Sequence, residues 1–269
     1  MPDYFTRPRM FRRTLALLPV VVLLALVSGC SWFQGKDDDA EEKAAANTPA
    51  VDLYAKASRA LKTGDYEGAI KDFETLEARY PFGSYSEQAK LEAAYAYYKY
   101  GEQESAIATV DRYLQLHPRG ENVDYALYLK GLASLKRGSS LTDDFVRQRD
   151  MARRDQGALQ LAYSSFSELV RRFPQSKYVE DSEKRLLEIR NLMAEHELYV
   201  AQYYMKRGAW IAAANRAQNL LERYNGAPTM PDALRIMVQA YTRLGLTDLA
   251  ADSRKVLELN YPDAAIGLN

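Results

Sequence analysis

Cysteine is nearly absent from this 269-residue chain, and Cys30 is its single example. An intrachain disulfide and a cysteine-rich metal centre are both excluded. Histidine is almost as scarce, with only His117 and His196. His196-Glu197 begins like a zinc-protease motif, but Val200 stands where the second histidine ligand belongs. No serine nucleophile elbow and no phosphate-cradling glycine loop occur anywhere. An excess of either charge is lacking too, since 36 basic residues face 36 acidic ones. A nucleic-acid partner is therefore not expected. These absences predict a protein that is not an enzyme and holds no metal or cofactor. Without covalent staples, an apolar core must carry the fold, and roughly 220 residues beyond the N-terminal region suffice for one.

The N-terminus has a different character. Arg7, Arg9, Arg12 and Arg13 precede an uncharged stretch from Thr14 to Val27, which leads into Leu26-Val27-Ser28-Gly29-Cys30. A basic start, a short apolar run and a small-residue exit describe an export signal, and the run is too short to span a membrane. The Leu-x-Ser-Gly-Cys pattern resembles a bacterial lipobox. That resemblance implies cleavage of residues 1–29 and acylation of Cys30. Three acyl chains, at ~0.8 kcal/mol per buried methylene, would hold the chain stably on a bilayer. The chain without residues 1–29 carries 32 basic and 35 acidic residues, a net charge of −3. By resemblance to lipoprotein sorting in diderm bacteria, Ser31 after the cysteine favours the periplasmic face of the outer membrane. Residues 30–50 include Asp37-Asp38-Asp39 and Glu41-Glu42 without apolar periodicity, and read as a solvated tether. Its flexible reach is about 25 Å.

A glycine ladder organises the rest. Gly64, Gly101 and Gly138 are 37 residues apart, as are Gly208 and Gly245, with Gly157 as the missing member. Five residues after Gly64, Gly101, Gly157, Gly208 and Gly245 come Ala69, Ala106, Ala162, Ala213 and Ala250. Seventeen residues after them come Pro81, Pro118, Pro174, Asn225 and Pro262. Seven residues before the turn lie Ala57, Ala94, Gly131, Ala201 and Val238. Glycine permits a tight turn between two helices, alanine lets them approach closely, and proline ends the second. Ala93 to Gly101 resembles the first helix and turn of a tetratricopeptide repeat. The expectation is an all-α, right-handed solenoid of about five helix pairs, each burying its faces mainly against its neighbours.

Two departures shape the domain plan. The third repeat takes a polar insertion at 139–156, which predicts a surface excursion. Tyr178 to Lys206 contains no glycine or proline, so one long helix or two abutting helices are expected there. Repeats one to three then occupy 51–175, and repeats four and five occupy 176–269.

In such repeats the first helix of each pair lines the concave face. Its stripe reads Val51, Tyr54, Ser58, Leu61, then Gln88, Leu91, Tyr95, Tyr98, then Tyr125, Tyr128, Leu132, Leu135. The fourth and fifth repeats offer the more polar Glu195, Leu198, Gln202, Met205 and Asp232, Arg235, Gln239, Thr242. Tyrosine combines apolar area with a hydrogen-bonding tip, which suits peptide recognition. Lys62, Lys99, Lys136, Lys206 and Arg243 stand two residues before turn glycines. A cation there fits the negative end of a helix dipole, and a clamp for a peptide carboxylate is the sharper alternative.

Several segments together carry a family resemblance: Tyr80-Pro81-Phe82-Gly83-Ser84-Tyr85, Tyr95 to Lys99, Asn122 to Tyr125, Phe166 to Pro174, and Tyr203-Tyr204 through Arg207-Gly208-Ala209-Trp210. They resemble the BamD family, lipoproteins of the machinery that assembles outer-membrane β-barrels. The resemblance implies a periplasmic adaptor with two jobs. Its N-terminal groove, with Tyr54, Tyr80, Phe82, Tyr85, Leu91, Tyr95, Tyr98, Tyr125 and Tyr128, would bind C-terminal targeting signals of unfolded barrel proteins. Its C-terminal repeats, through Arg207 and Trp210, would dock a periplasmic domain of BamA, the barrel subunit that performs insertion, alongside other Bam lipoproteins. A tetratricopeptide envelope lipoprotein that scaffolds peptidoglycan enzymes is the alternative.

Overall fold

The computed structural model describes residues 48–137 and 156–266. Cys30, nearly all of the tether and the insertion up to residue 155 lie outside the described residues. The described residues from Leu53 onward form one compact unit.

Eleven helices are described, and no strand occurs among the described residues. They are α1 (Ala50–Thr63), α2 (Tyr66–Arg79), α3 (Ser84–Tyr100), α4 (Gln103–Leu116), α5 (Val123–Arg137), α6 (Gln156–Arg172), α7 (Val179–Lys206), α8 (Trp210–Arg223), α9 (Met230–Arg243), α10 (Thr247–Asn260) and the short α11 (Pro262–Ala265). The first ten pair consecutively into five helical hairpins: α1 shares a core with α2 through Leu53, Ala57, Ala69 and Phe73, and from α2 to α10 each helix packs on the next. This is the repeat solenoid that the ladder predicts. No described helix is long and apolar enough to cross a membrane.

The ladder residues do the work their chemistry allows. Gly101 ends α3 at φ 104°, a left-handed conformation that side chains disfavour. Its amide donates back to the Tyr97 carbonyl at 3.0 Å, as does that of Glu102. Gly64, Gly208 and Gly245 share the positive φ. The alanines Ala69, Ala106, Ala162 and Ala213 have no exposed surface, so the two helices of a pair meet through them. The second helices end at Arg79, Leu116, Arg172 and Asn260, and the next residue, Tyr80, His117, Phe173 or Tyr261, donates its amide back to the last turn and precedes a proline. The residue before proline avoids helical torsions, which fixes these ends. At Asn225 no proline stands, yet α8 still stops at Arg223 and Gly226 adopts φ 78°.

One 28-residue helix, α7, fills the glycine-free stretch. Its N-terminal half buries Ile189 and Leu192 against Leu159, Ala162 and Phe166 of α6. Its C-terminal half buries Ala194 and Ala201 against Ala213, Ala217 and Leu220 of α8 and Ala233 and Ile236 of α9. A single rigid element thus belongs to the cores of both the third and the fourth repeats.

Candidate functional site

The predicted tyrosine groove resolves into two groups of rings. The first joins α1 and α3. Tyr54 stands 5.3 Å from Tyr85 and 6.2 Å from Phe73, measured between ring centres. Its hydroxyl donates to Glu92 Oε1 at 2.7 Å. Ser58, one turn along α1, donates to Glu92 Oε2 at 2.8 Å, and Gln88 Nε2 donates to Oε1 at 3.0 Å. Three side chains from two repeats therefore converge on one carboxylate. Tyr80 is half-buried against the core of the first repeat. Phe82 protrudes from the α2–α3 loop with 90% of its surface exposed, and Tyr85 is 37% exposed.

The second group joins α5 to the start of α7. Tyr128 stacks on Tyr178 at 4.6 Å, and Tyr125 lies 5.7 Å from the same ring. The Tyr128 hydroxyl donates to Asp181 at 2.8 Å, and Arg185 pairs with that aspartate. Between the groups, Tyr95 and Tyr98 lie 6.4 Å apart, and the Lys136 ammonium sits 4.9 Å over the Tyr98 ring.

One predicted groove residue belongs elsewhere. Leu91 is only 4% exposed and packs in the core with Val110, Tyr113 and Leu127, so it offers no surface to a ligand. Its neighbour Glu92 faces the α1 side instead. Spacings of three and of four both keep a residue on one helical face. Gln88 to Glu92 to Tyr95 satisfies that rule as well as Gln88 to Leu91 to Tyr95 does. Glu92 and Tyr178 are the site residues that the periodic stripe missed.

Burial pushes the Tyr54 phenol up to about 12, with the hydrogen bond to Glu92 adding to the shift. Tyr125 is raised as well, by burial first and then by Tyr178, Tyr95 and Glu92. The fold holds these phenols in their neutral form. That contribution to stability is intact below the usual value of 10.0 and is lost as pH climbs through 12. In an ultraviolet phenolate titration, Tyr54→Phe should remove one phenol from the wave near pH 12 and leave the wave near 10 unchanged. A loss from the wave near 10 would contradict the buried Tyr54–Glu92 contact.

The C-terminal candidates share a turn but face different neighbours. Arg207 follows α7 and lays its guanidinium 5.3 Å over the Tyr203 ring. Trp210 opens α8 and receives Arg243 of α9 at 5.9 Å. Trp210, with Gly208, Ala209, Ile211 and Leu244, borders a shallow depression of about 470 Å³. Ile211 is 64% exposed beside it. The ladder cations also find rings: Lys99 lies over Tyr66 at 5.9 Å, in the register that places Arg243 over Trp210. In both cases a cation two residues before one turn glycine covers an aromatic two residues after the preceding one. These cation–π contacts tie successive repeats together. His117 lies 5.2 Å from the Tyr113 ring, with its Nδ1 3.7 Å from Glu87.

Comparison with known proteins places this architecture. The YfiO family profile, described as "Outer membrane lipoprotein", matches residues 46–257. A Neisseria meningitidis serogroup A protein named "Outer membrane protein assembly factor BamD" is 42% identical over 246 residues, covering 91% of each chain. A protein of the same name from Xylella fastidiosa strain 9a5c is 38% identical over 257 residues, covering 96% of this chain and 86% of the relative. The Vibrio cholerae protein of that name is 35% identical over 242 residues, covering 89% and 96%.

Proposed function

The chain belongs to the BamD family of outer-membrane lipoproteins, and we propose that it is a non-catalytic adaptor in outer-membrane protein assembly. It is held at the periplasmic face of the outer membrane by acylated Cys30, and the tether of residues 31–50 lets the solenoid stand off the bilayer. The N-terminal tyrosine groove receives the C-terminal segment of an unfolded β-barrel protein. The C-terminal repeats dock a periplasmic domain of BamA through the Arg207–Trp210 turn, and other Bam lipoproteins join the same complex.

The groove reading is supported by Phe82, exposed on the α2–α3 loop, and by Tyr85, whose ring stands beside half-buried Tyr54. A protein gains little stability from a phenylalanine held 90% in water. Aromatic anchors beside a partly buried polar centre are what a peptide with alternating apolar side chains engages. The depression at Trp210, with Ile211 at its rim, gives the C-terminal half a comparable apolar foothold.

Fluorescence anisotropy with C-terminal peptides of outer-membrane barrels tests this. The double variant Phe82→Ala, Tyr85→Ala should weaken binding about 30-fold, the cost of losing one strong anchor. Its helicity should stay near wild type, because Phe82 stands in solvent and Tyr85 lies outside the buried core. Unchanged affinity with intact helicity would remove this groove from the account.

A further inference from the structure

Glu92 lies half-buried at the centre of the first ring group. All three of its donors, Tyr54, Ser58 and Gln88, are neutral. Among the described residues, no ion pair includes Glu92. Asp181, its counterpart in the second group, also accepts from a tyrosine but is matched by Arg185. Three hydrogen bonds hold the Glu92 carboxylate in place without cancelling its charge.

Geometry leaves one acceptor direction open. A carboxylate has about four lone-pair positions. Oε1 accepts from both Tyr54 and Gln88, whereas Oε2 accepts from Ser58 alone. The free lone pair is therefore on Oε2. Tyr54, whose ring meets that of Tyr85, lies against this carboxylate, and its charge reaches Tyr125. A fixed anion with aromatic walls and a vacant acceptor matches one ligand group, a cationic side chain.

We propose that Glu92 is the specificity-determining residue of the groove and accepts a lysine ammonium of the bound peptide. This rests on the peptide-binding reading of the groove. Lysine fits better than arginine, because a compact ammonium uses one lone pair while the guanidinium fork needs both oxygens. The same charge repels the ligand's terminal carboxylate, so a peptide is placed with its lysine here and its C-terminus elsewhere.

The test uses the full-length acylated protein in mild detergent. Two synthetic peptides of about ten residues, the length of a membrane strand, alternate apolar side chains and end in phenylalanine. They differ at one position, lysine in one and norleucine in the other. Wild type should prefer the lysine peptide about tenfold at low salt, with the preference shrinking at high salt. Glu92→Gln should abolish the preference, so that this variant binds the two peptides equally. Equal binding of both peptides to wild type would overturn the role of Glu92 and leave the groove as a peptide site. Binding of neither peptide would overturn the groove reading, and the role of Glu92 with it.

Discussion

Phe166→Ala should destabilise the solenoid by about 3–5 kcal/mol, the cost of emptying a fully buried aromatic site. The ring has no exposed surface. It fills the space beside Gly131 so closely that a Cβ there would lie 2.5 Å from two ring carbons. Leu159, Ala162, Ile189 and Leu192 surround it, and Tyr128 meets it edge-on at 6.0 Å between ring centres. A backbone on one side and two helices on the others leave little room for collapse, so the cavity persists. The location amplifies the effect. In a solenoid each repeat is stabilised by its neighbours, and this ring lies where α5, α6 and α7 meet. Urea unfolding should show a lowered midpoint, and separate transitions where wild type shows one. A loss below about 1 kcal/mol would mean that the site relaxes and that Phe166 is not the joint of the third repeat.

The second large effect is electrostatic. Lys90 of α3 is only 3% exposed, and its ammonium lies 2.8 Å from Glu77 of α2. Glu77 also lies 3.5 Å from Arg112, whose side chain is largely in water. Glu77→Ala strands the buried ammonium and should cost about 3 kcal/mol. Lys90→Met removes the charge but keeps an unbranched chain of similar shape, and should change stability by less than about 1.5 kcal/mol. Equal losses in the two variants would show that packing of the Lys90 stem, not its charge, is what matters.

The repeat plan was legible because it rests on backbone chemistry. Gly101 needs a positive φ, Ala69 needs to be small, and Pro81 cannot continue a helix. Each requirement selects a residue type at a set spacing. The glycine-free run from Tyr178 gave α7 by the same logic. Which side chain faces the groove was less legible. Leu91 and Glu92 both satisfy helical spacing, and only the packing of α3 on α4 and α5 decides that leucine turns inward. Tyr178 escaped because it lies 50 residues beyond Tyr128, with the insertion between them, and meets it only through the fold. The cations before the turn glycines carry a helix-end signal in sequence. Their register over Tyr66 and Trp210 is visible only once adjacent repeats are stacked. Lys90 reads as a surface residue until its partner on α2 is seen.

The proposed adaptor role requires membership of a barrel-assembling complex. Its most direct test is mild-detergent purification of the full-length acylated protein from its own envelope, with co-purifying chains identified by mass spectrometry. A stoichiometric outer-membrane barrel with tandem periplasmic domains is the expected partner. Peptidoglycan synthases or hydrolases in its place would contradict the account.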